Sequence, residues 1–315
     1  MGSRGVYIGI DVGGTNLRAG AVDEAGSLLA VKQISLRYEG AESFAGLLAR
    51  LAKEAAEAAG CPLVDIKSVG VGIPGAVRDG EVLYTANIPM GNVPLEVLFR
   101  KHLDVPVILE NDANCAALGE WLRGSGRGCR NFGVITLGTG IGGGFVVNGQ
   151  LLTGGTAGEV GHMVIEQNGA ACECGRRGCW EAYSSATGLI RMAREAMARH
   201  PESLLHEMSA GSGLEGWTVF RAADAGDETA LEVCRMFVEY LALGVTNLFN
   251  LLQPEILALS GGMADAPEEL LLKPLRNIVE ETCYSRHIGV LPRIQRAELG
   301  NDAGIIGAAL LSRAI

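Results

Sequence analysis

Hydrophobic and polar positions follow two different periods along the chain. From Tyr7 to Ser35, YIGIDVGGTNLRAGAVDEAGSLLAVKQIS sets apolar runs between GG and DEAG turn signals, which predicts two or three antiparallel strands joined by tight turns. Between Glu42 and Gly60 the spacing changes. Phe44, Leu47, Leu48, Leu51, Ala55 and Ala58 recur at helical steps, and Gly60 supplies a C-terminal stop. VGVGIPGAV and VPVILEND read as short buried strands, the second running into a helix over ANCAALGEWLRG. These elements predict one α/β lobe. Beyond GSGRGCR, NFGVITLGTGIGGGFVVNGQLL again gives strand, glycine turn, strand, with Asn148 and Gly149 as a hairpin signal. Leu231, Cys234, Val238, Leu241, Val245, Leu248 and Leu252 keep steps of three and four, so a long helix is expected, its apolar seam facing core or partner. ILALSGGMAD is another strand to glycine turn, and NDAGIIGAALLSR is a closing helix with Asn301 or Asp302 at its cap. Because both halves open with strand, glycine turn, strand, paired domains closing over a ligand are expected.

Composition narrows the functions this architecture can serve. At 315 residues, with 48% hydrophobic and 20% charged positions, the chain has the balance of a globular, soluble protein of about two domains. A net charge of −10 repels phosphate backbones and acidic membranes, so nucleic acid and membrane are not expected partners and small molecules are. No basic n-region and apolar h-region open the sequence, and no apolar run approaches membrane-spanning length, so a cytoplasmic location is expected. In a reducing compartment, clustered cysteines favour metal over disulfide. Five of the eight cysteines, Cys61, Cys115, Cys129, Cys234 and Cys283, are scattered among apolar neighbours and read as small core residues.

Three glycine turns follow apolar strands: DVGGTN at 11–16, GTGIGGG at 138–144 and SGGM at 260–263. Glycine lacks Cβ and lets successive N–H groups converge on an anion, so such turns suit phosphate oxygens, although any one alone reads as a hairpin. GTGIGG fits GxGxxG, yet a strand follows it where a dinucleotide fold requires a helix. GxxxxGK[ST], HRD and DFG are absent. Asp11, directly before the first glycines, can face polyphosphate oxygens only through a cation, for which Mg²⁺ is the natural mediator; its plain alternative is an Asx turn. ENDAN, with Glu110, Asn111, Asp112 and Asn114 at a strand-to-helix junction, reads either as a helix cap or as the source of a carboxylate. Phosphoryl transfer to an alcohol needs a base for the hydroxyl proton, and Asp112 suits that role. His162, Cys172, Cys174 and Cys179 offer one imidazole and three thiolates, a soft tetrahedral set that fits Zn²⁺ and leaves no open position, hence a structural metal. Glu159 and Glu181 flank this set, where they can accept hydrogen bonds from a polyhydroxy substrate or stand as solvated loop acids.

Together DVGGTN, ENDAN, GTGIGGG, GEVGH and CECGRRGCWE resemble the ROK family of bacterial sugar kinases, most like its glucokinases, across nearly the whole chain. The resemblance implies a two-lobed actin-like or hexokinase-like α/β ATPase fold with ribonuclease H-like lobes. The small lobe is expected over 1–112 plus 300–315, and the large lobe over 113–299, with the zinc loop and a dimerisation surface. It also implies ATP-dependent phosphorylation of a hexose, glucose first, by a homodimer or higher homo-oligomer using Mg²⁺ and structural Zn²⁺. Asp112 would be the general base, and Asn111, Asn87, Gly75, Glu159, His162 and Glu181 would bind the sugar. Asp11, Gly13, Gly14, Thr15, Gly138, Thr139 and Gly140 would serve the ATP phosphates and their cation, and Gly261 and Gly262 would lie near the adenosine. One motif departs: three residues after Asn87 this chain has Met90, where such glucokinases tend to carry an aromatic. Kinases of fructose, mannose, allose and N-acetylmannosamine therefore stay as alternatives, and so does a sugar-binding regulator without kinase activity.

Overall fold

The computed structural model describes residues 5–85, 88–211 and 213–314. Its elements begin with strands β1 (Val6–Val12), β2 (Asn16–Val22) and β3 (Leu28–Ser35), helix α1 (Ala41–Ala58), and strands β4 (Ile66–Ile73), β5 (Gly75–Arg78) and β6 (Glu81–Thr85). Helix α2 (Leu95–Arg100), strand β7 (Val107–Asn111), helix α3 (Asp112–Arg123) and strands β8 (Phe132–Leu137), β9 (Ile141–Val147) and β10 (Gln150–Leu151) follow. Helices α4 (Glu181–Ser184), α5 (Ala186–Met197), α6 (Leu204–Met208), α7 (Gly216–Asp224) and α8 (Glu228–Leu252) come next. The chain ends with β11 (Ile256–Ser260), α9 (Leu272–Thr282), β12 (Ile294–Arg296) and α10 (Ala303–Leu310).

One five-stranded sheet has the order β3-β2-β1-β4-β7 and the other β10-β9-β8-β11-β12, so the two correspond strand for strand. This is the repetition that the paired strand, glycine turn, strand pattern foretold. In the first sheet β1 pairs antiparallel with β2 and parallel with β4, and β7 joins parallel to β4, so β1, β4 and β7 run in one direction. The chain forms two compact units, with boundaries inside β8 and β9. One runs to Val134 and takes in Gly144–Gly158 and the chain from Glu298, and the other comprises Ile135–Gly143 and Glu159–Ala297.

In the first unit, α1 buries most of the stripe its periodicity marks: Phe44, Leu48, Leu51 and Ala55 are inaccessible, Leu47 is half-buried, and Ala58, in the last turn, is exposed. Burying each of the three large side chains is worth about 1.5–3 kcal/mol, which favours packing of this face over any isolated helix. Helix α10 packs against β1 and β4 so closely that side chains at Gly9 and Gly70 would strike the backbone oxygens of Ile305 and Ala308. In the second unit the seam of α8 is core: Cys234, Val238, Leu241, Val245 and Leu248 are buried, and α7, α9, α5 and α4 pack on this helix. Asn148 and Gly149 both have positive φ (54° and 77°), the geometry of the expected hairpin turn.

Two local expectations are corrected. Asp302 stands at the N-cap position of α10 but its side chain caps nothing; its carboxylate takes the Arg18 guanidinium at 2.7 Å instead. An ion pair to a β2 side chain outcompetes a local bond to backbone. Of the scattered cysteines, Cys115, Cys234 and Cys283 are buried, whereas Cys61 and Cys129 are only half-buried, because each lies in a connecting segment and not on an apolar face.

Candidate functional site

The first unit gathers the Asp11 and Asp112 groups at the ends of its parallel strands. Beyond β1, the turn of Gly13, Gly14 and Thr15 is closed by a bond from Gly13 N–H to the Asn16 carbonyl at 2.9 Å. Gly14 and Thr15 are exposed, and nothing lies within 4 Å of where a Cβ on Gly14 would stand, so this stretch of backbone is open to a ligand. Asp11 lies just before the turn, in register with Arg18 and Gly72. Burial raises its carboxyl above the ordinary 3.8, with Arg18 pulling the other way. Arg18 is itself engaged by the Asp302 carboxylate and the Asn301 carbonyl, so its charge is shared.

At the end of β7 the chain turns directly into α3. Asn111 is the N-cap: its Oδ1 accepts from Ala113 N–H (2.9 Å) and Asn114 N–H (3.2 Å), and its Nδ2 donates to the Gly75 carbonyl (3.2 Å). The capping and site readings of ENDAN thus fall on neighbouring residues, with Asn111 capping and tying Gly75 to the junction. Asp112 is the first residue of α3, half-buried, and its Oδ1 accepts from Ala113 N–H at 2.9 Å. Glu110 is buried and accepts from Asn111 N–H (2.8 Å) and Asn114 Nδ2 (3.0 Å), which stiffens the junction from behind. Asn87 lies outside the described residues.

The second unit holds the other two glycine turns and the cysteine cluster. Gly138, Thr139 and Gly140 join β8 to β9. The Glu181 carboxylate packs on this turn: Oε2 accepts from Ile141 N–H at 2.8 Å and would lie 2.2 Å from a Cβ on residue 140, so a side chain there would displace this carboxylate. Gly261 has φ 87°, and a side chain there would meet Leu137 backbone at 2.4 Å; this glycine lets the β11 turn sit against the end of β8. Gly262 beside it is exposed with open space around it.

His162, Cys172, Cys174 and Cys179 place their ligand atoms all within 4.8 Å of one another. Cys172 Sγ is 3.6 Å from His162 Nδ1, and Cys174 Sγ is 3.7 Å from Cys179 Sγ. A tetrahedron with Zn–S bonds of about 2.3 Å has edges of about 3.8 Å, so the donor set fits that ion in type and spacing. Desolvation pushes the free Cys172 thiol up to about 12, and a divalent cation is what makes several neighbouring thiolates tolerable. Glu181 Oε1 lies 3.9 Å from Cys172 Sγ, so this one residue touches both the cluster and the Gly140 turn. Glu159 is exposed and precedes the single 3-10 turn that carries His162.

Two supporting residues escaped the sequence reading. Trp180 is wholly buried, donates from Nε1 to the Tyr240 carbonyl at 3.0 Å, and moors the cysteine loop to α8. Glu120, also wholly buried, accepts from Ser125 N–H and hydroxyl (2.9 and 2.8 Å) and from Glu298 and Leu299 N–H (3.1 and 2.6 Å), fixing the segment that leads into α10. A charged residue amid the apolar positions of α3 is the only sign of it in the sequence.

The ROK family model matches residues 7–315. The chain belongs to the ROK family. It is 38% identical to a glucokinase of Halalkalibacterium halodurans over 97% of this chain and 94% of that protein. It is also 32% identical to an N-acetyl-D-glucosamine kinase of Pectobacterium atrosepticum, over 97% of this chain and 98% of that one. Among solved structures, a ROK family glucokinase from Streptomyces griseus in complex with glucose and AMPPNP superposes with a TM-score of 0.82. It is 35% identical, with 98% of this chain and 99% of that one covered. The α/β fold of a ROK sugar kinase is thereby established. No described helix is long and apolar enough to cross a membrane.

Proposed function

We propose that this ROK protein is an ATP-dependent glucokinase that forms glucose 6-phosphate. The observation that carries the reading is the likeness to curated glucokinases over nearly the full length of both proteins. Asp112 accepts the proton of the sugar 6-hydroxyl as its oxygen bonds to the γ-phosphorus and the bond to the bridging oxygen of ADP breaks. Its place as the first residue of α3, with Ala113 N–H donating to Oδ1, supports that role by holding the carboxylate in one orientation. Asn111, Asn87 and Gly75 hold the sugar, joined by Glu159, His162 and the Oε1 of Glu181. Gly14, Thr15, Thr139 and Gly140 receive the phosphates through backbone N–H groups, Gly13 and Gly138 shape those turns by donating to the Asn16 and Gly140 carbonyls, and Gly261 and Gly262 border the adenosine. Mg²⁺, when bound with the nucleotide, offsets the repulsion between phosphate oxygens and Asp11. His162 Nδ1 and the three cysteine sulfurs hold Zn²⁺ structurally. Lobes at 1–112 with 300–315 and at 113–299, a homodimer and a cytoplasmic location belong to the same reading.

Coupled measurement of ADP release with MgATP and a panel of glucose, fructose, mannose, allose, N-acetylmannosamine and N-acetylglucosamine tests it. Glucose is expected to give the highest kcat/KM, and Asp112→Asn to lower kcat by about 10²–10⁴. Near wild-type turnover in that variant removes Asp112 as the base, and preference for another sugar replaces glucose.

A further inference from the structure

Resting on the kinase reading, we propose that Trp217 stacks on the purine ring of the phosphoryl donor and so favours purine over pyrimidine nucleotides. Of the three tryptophans, Trp180 is buried and Trp121 is half-buried with its Nε1 donating to the Cys129 carbonyl; Trp217 alone is exposed, at 41%. It is the second residue of α7, edge-on to the buried Phe220 with ring centroids 6.4 Å apart and planes at 65°. One edge is therefore anchored while much of the indole stays open to solvent.

Its position ties it to the glycine turns of the same unit. A Cβ on Gly216, the residue before it, would lie 3.5 Å from Met263 Sδ and 3.6 Å from the Ala186 Cβ. Met263 directly follows the Gly261–Gly262 pair. Ala186 N–H donates to the Gly138 carbonyl at 2.9 Å, and the Thr187 hydroxyl donates to the Thr139 carbonyl at 2.8 Å. Hence the start of α7, the start of α5 and both glycine turns form one continuous packed surface. A nucleotide whose phosphates meet Gly138–Gly140 and whose ribose meets Gly261–Gly262 has its base directed along that surface, where the exposed aromatic stands. Apolar, π-faced ligands gain most from such a platform, and a purine offers twice the ring system of a pyrimidine.

The full-length protein, Trp217→Ala and Trp217→Phe are compared at saturating glucose. Trp217→Ala is expected to raise the KM for MgATP about tenfold, as loss of one base–aromatic stack does. The kcat and the glucose KM stay within about twofold, because the reacting atoms are untouched. Trp217→Phe keeps a π-face and stays within about threefold of wild type. In equilibrium titration, MgADP is expected to quench the tryptophan emission of the wild type but not of Trp217→Phe, and magnesium pyrophosphate, which lacks a base, to quench neither. An unchanged KM for MgATP in a Trp217→Ala protein with native circular dichroism overturns the proposal. So does quenching that is absent from the wild type, persists in Trp217→Phe, or appears with pyrophosphate. Failure of the wild type to phosphorylate any sugar overturns the kinase reading instead, and the ADP titration still decides the role of Trp217.

Discussion

Asp11 shows how one residue can be costly in the empty protein and useful in the working one. Burial raises its carboxyl above 3.8, so the folded state holds the proton more tightly than the unfolded chain does. Stability then falls as pH rises from about 3.8 through the folded value, since the charged form is the one that burial penalises. Asparagine at this position has no charge to desolvate, and Arg18 keeps its partners Asp302 and Asn301. Ligand-free Asp11→Asn is therefore expected to melt above wild type at pH 7. The gap should narrow as the pH approaches 4, and the same variant should lose most MgATP-dependent activity. Thermal scans at several pH values, with turnover measured alongside, check both signs; a variant that melts lower at pH 7 removes the desolvation account. In the sequence Asp11 drew notice because it precedes glycines. Its burial, which gives the prediction its sign, arises only when β2 and β4 flank β1.

Among the elements, α8 was the most legible in the sequence and its start the least. Seven apolar positions at steps of three and four marked its seam, and five of them are buried. The cap itself is local, Asp227 to Ala230, and what lies distant in sequence is its second tie, to Ser203 and Leu204. Asp227 Oδ1 accepts from Ala230 N–H (2.7 Å), capping α8, and from the Ser203 hydroxyl (3.0 Å), while Oδ2 takes Leu204 N–H (2.7 Å) at the start of α6. Partial desolvation works against the carboxylate, but these donors prevail and hold it below its usual 3.8. A depressed value means the stabilisation is present above the unfolded-state value and is lost as pH falls through the folded one. Asp227→Ala is expected to reduce the unfolding free energy by about 1–2 kcal/mol at pH 7. Urea titration should show that deficit shrink as pH falls from 3.8 through the lower folded value, beneath which the wild-type carboxylate is protonated in both states; a deficit independent of pH contradicts the ionic cap.

At the scale of the whole molecule, the cysteine loop is where a metal matters most. Its backbone is held by turns and two isolated β-bridges, Val164 with Cys179 and Ala171 with Arg177, and by no continuous helix or strand ladder. Chelation is expected to accelerate amide exchange over 159–181 and raise the glucose KM several-fold before global unfolding, because Glu181 and His162 lose their fixed geometry. Unchanged exchange and affinity in metal-depleted protein would show that the thiols hold no structural ion. The sequence by itself determined the strand and glycine-turn openings of both halves and the helices α1, α3, α8 and α10, since period and turn chemistry are local properties. It also marked out His162, Cys172, Cys174 and Cys179, whose ligand atoms the fold brings within 4.8 Å of one another. Tertiary structure alone decided which polar groups are spent on the scaffold and which stay available. One amide hydrogen of Asn111 is occupied in holding Gly75, Asp302 in pairing with Arg18, and half of the Glu181 carboxylate in holding Ile141, while Trp217 is left open to solvent. Each of these outcomes depends on groups far apart in the chain, or on what fails to cover a side chain, and neither is written in a local pattern.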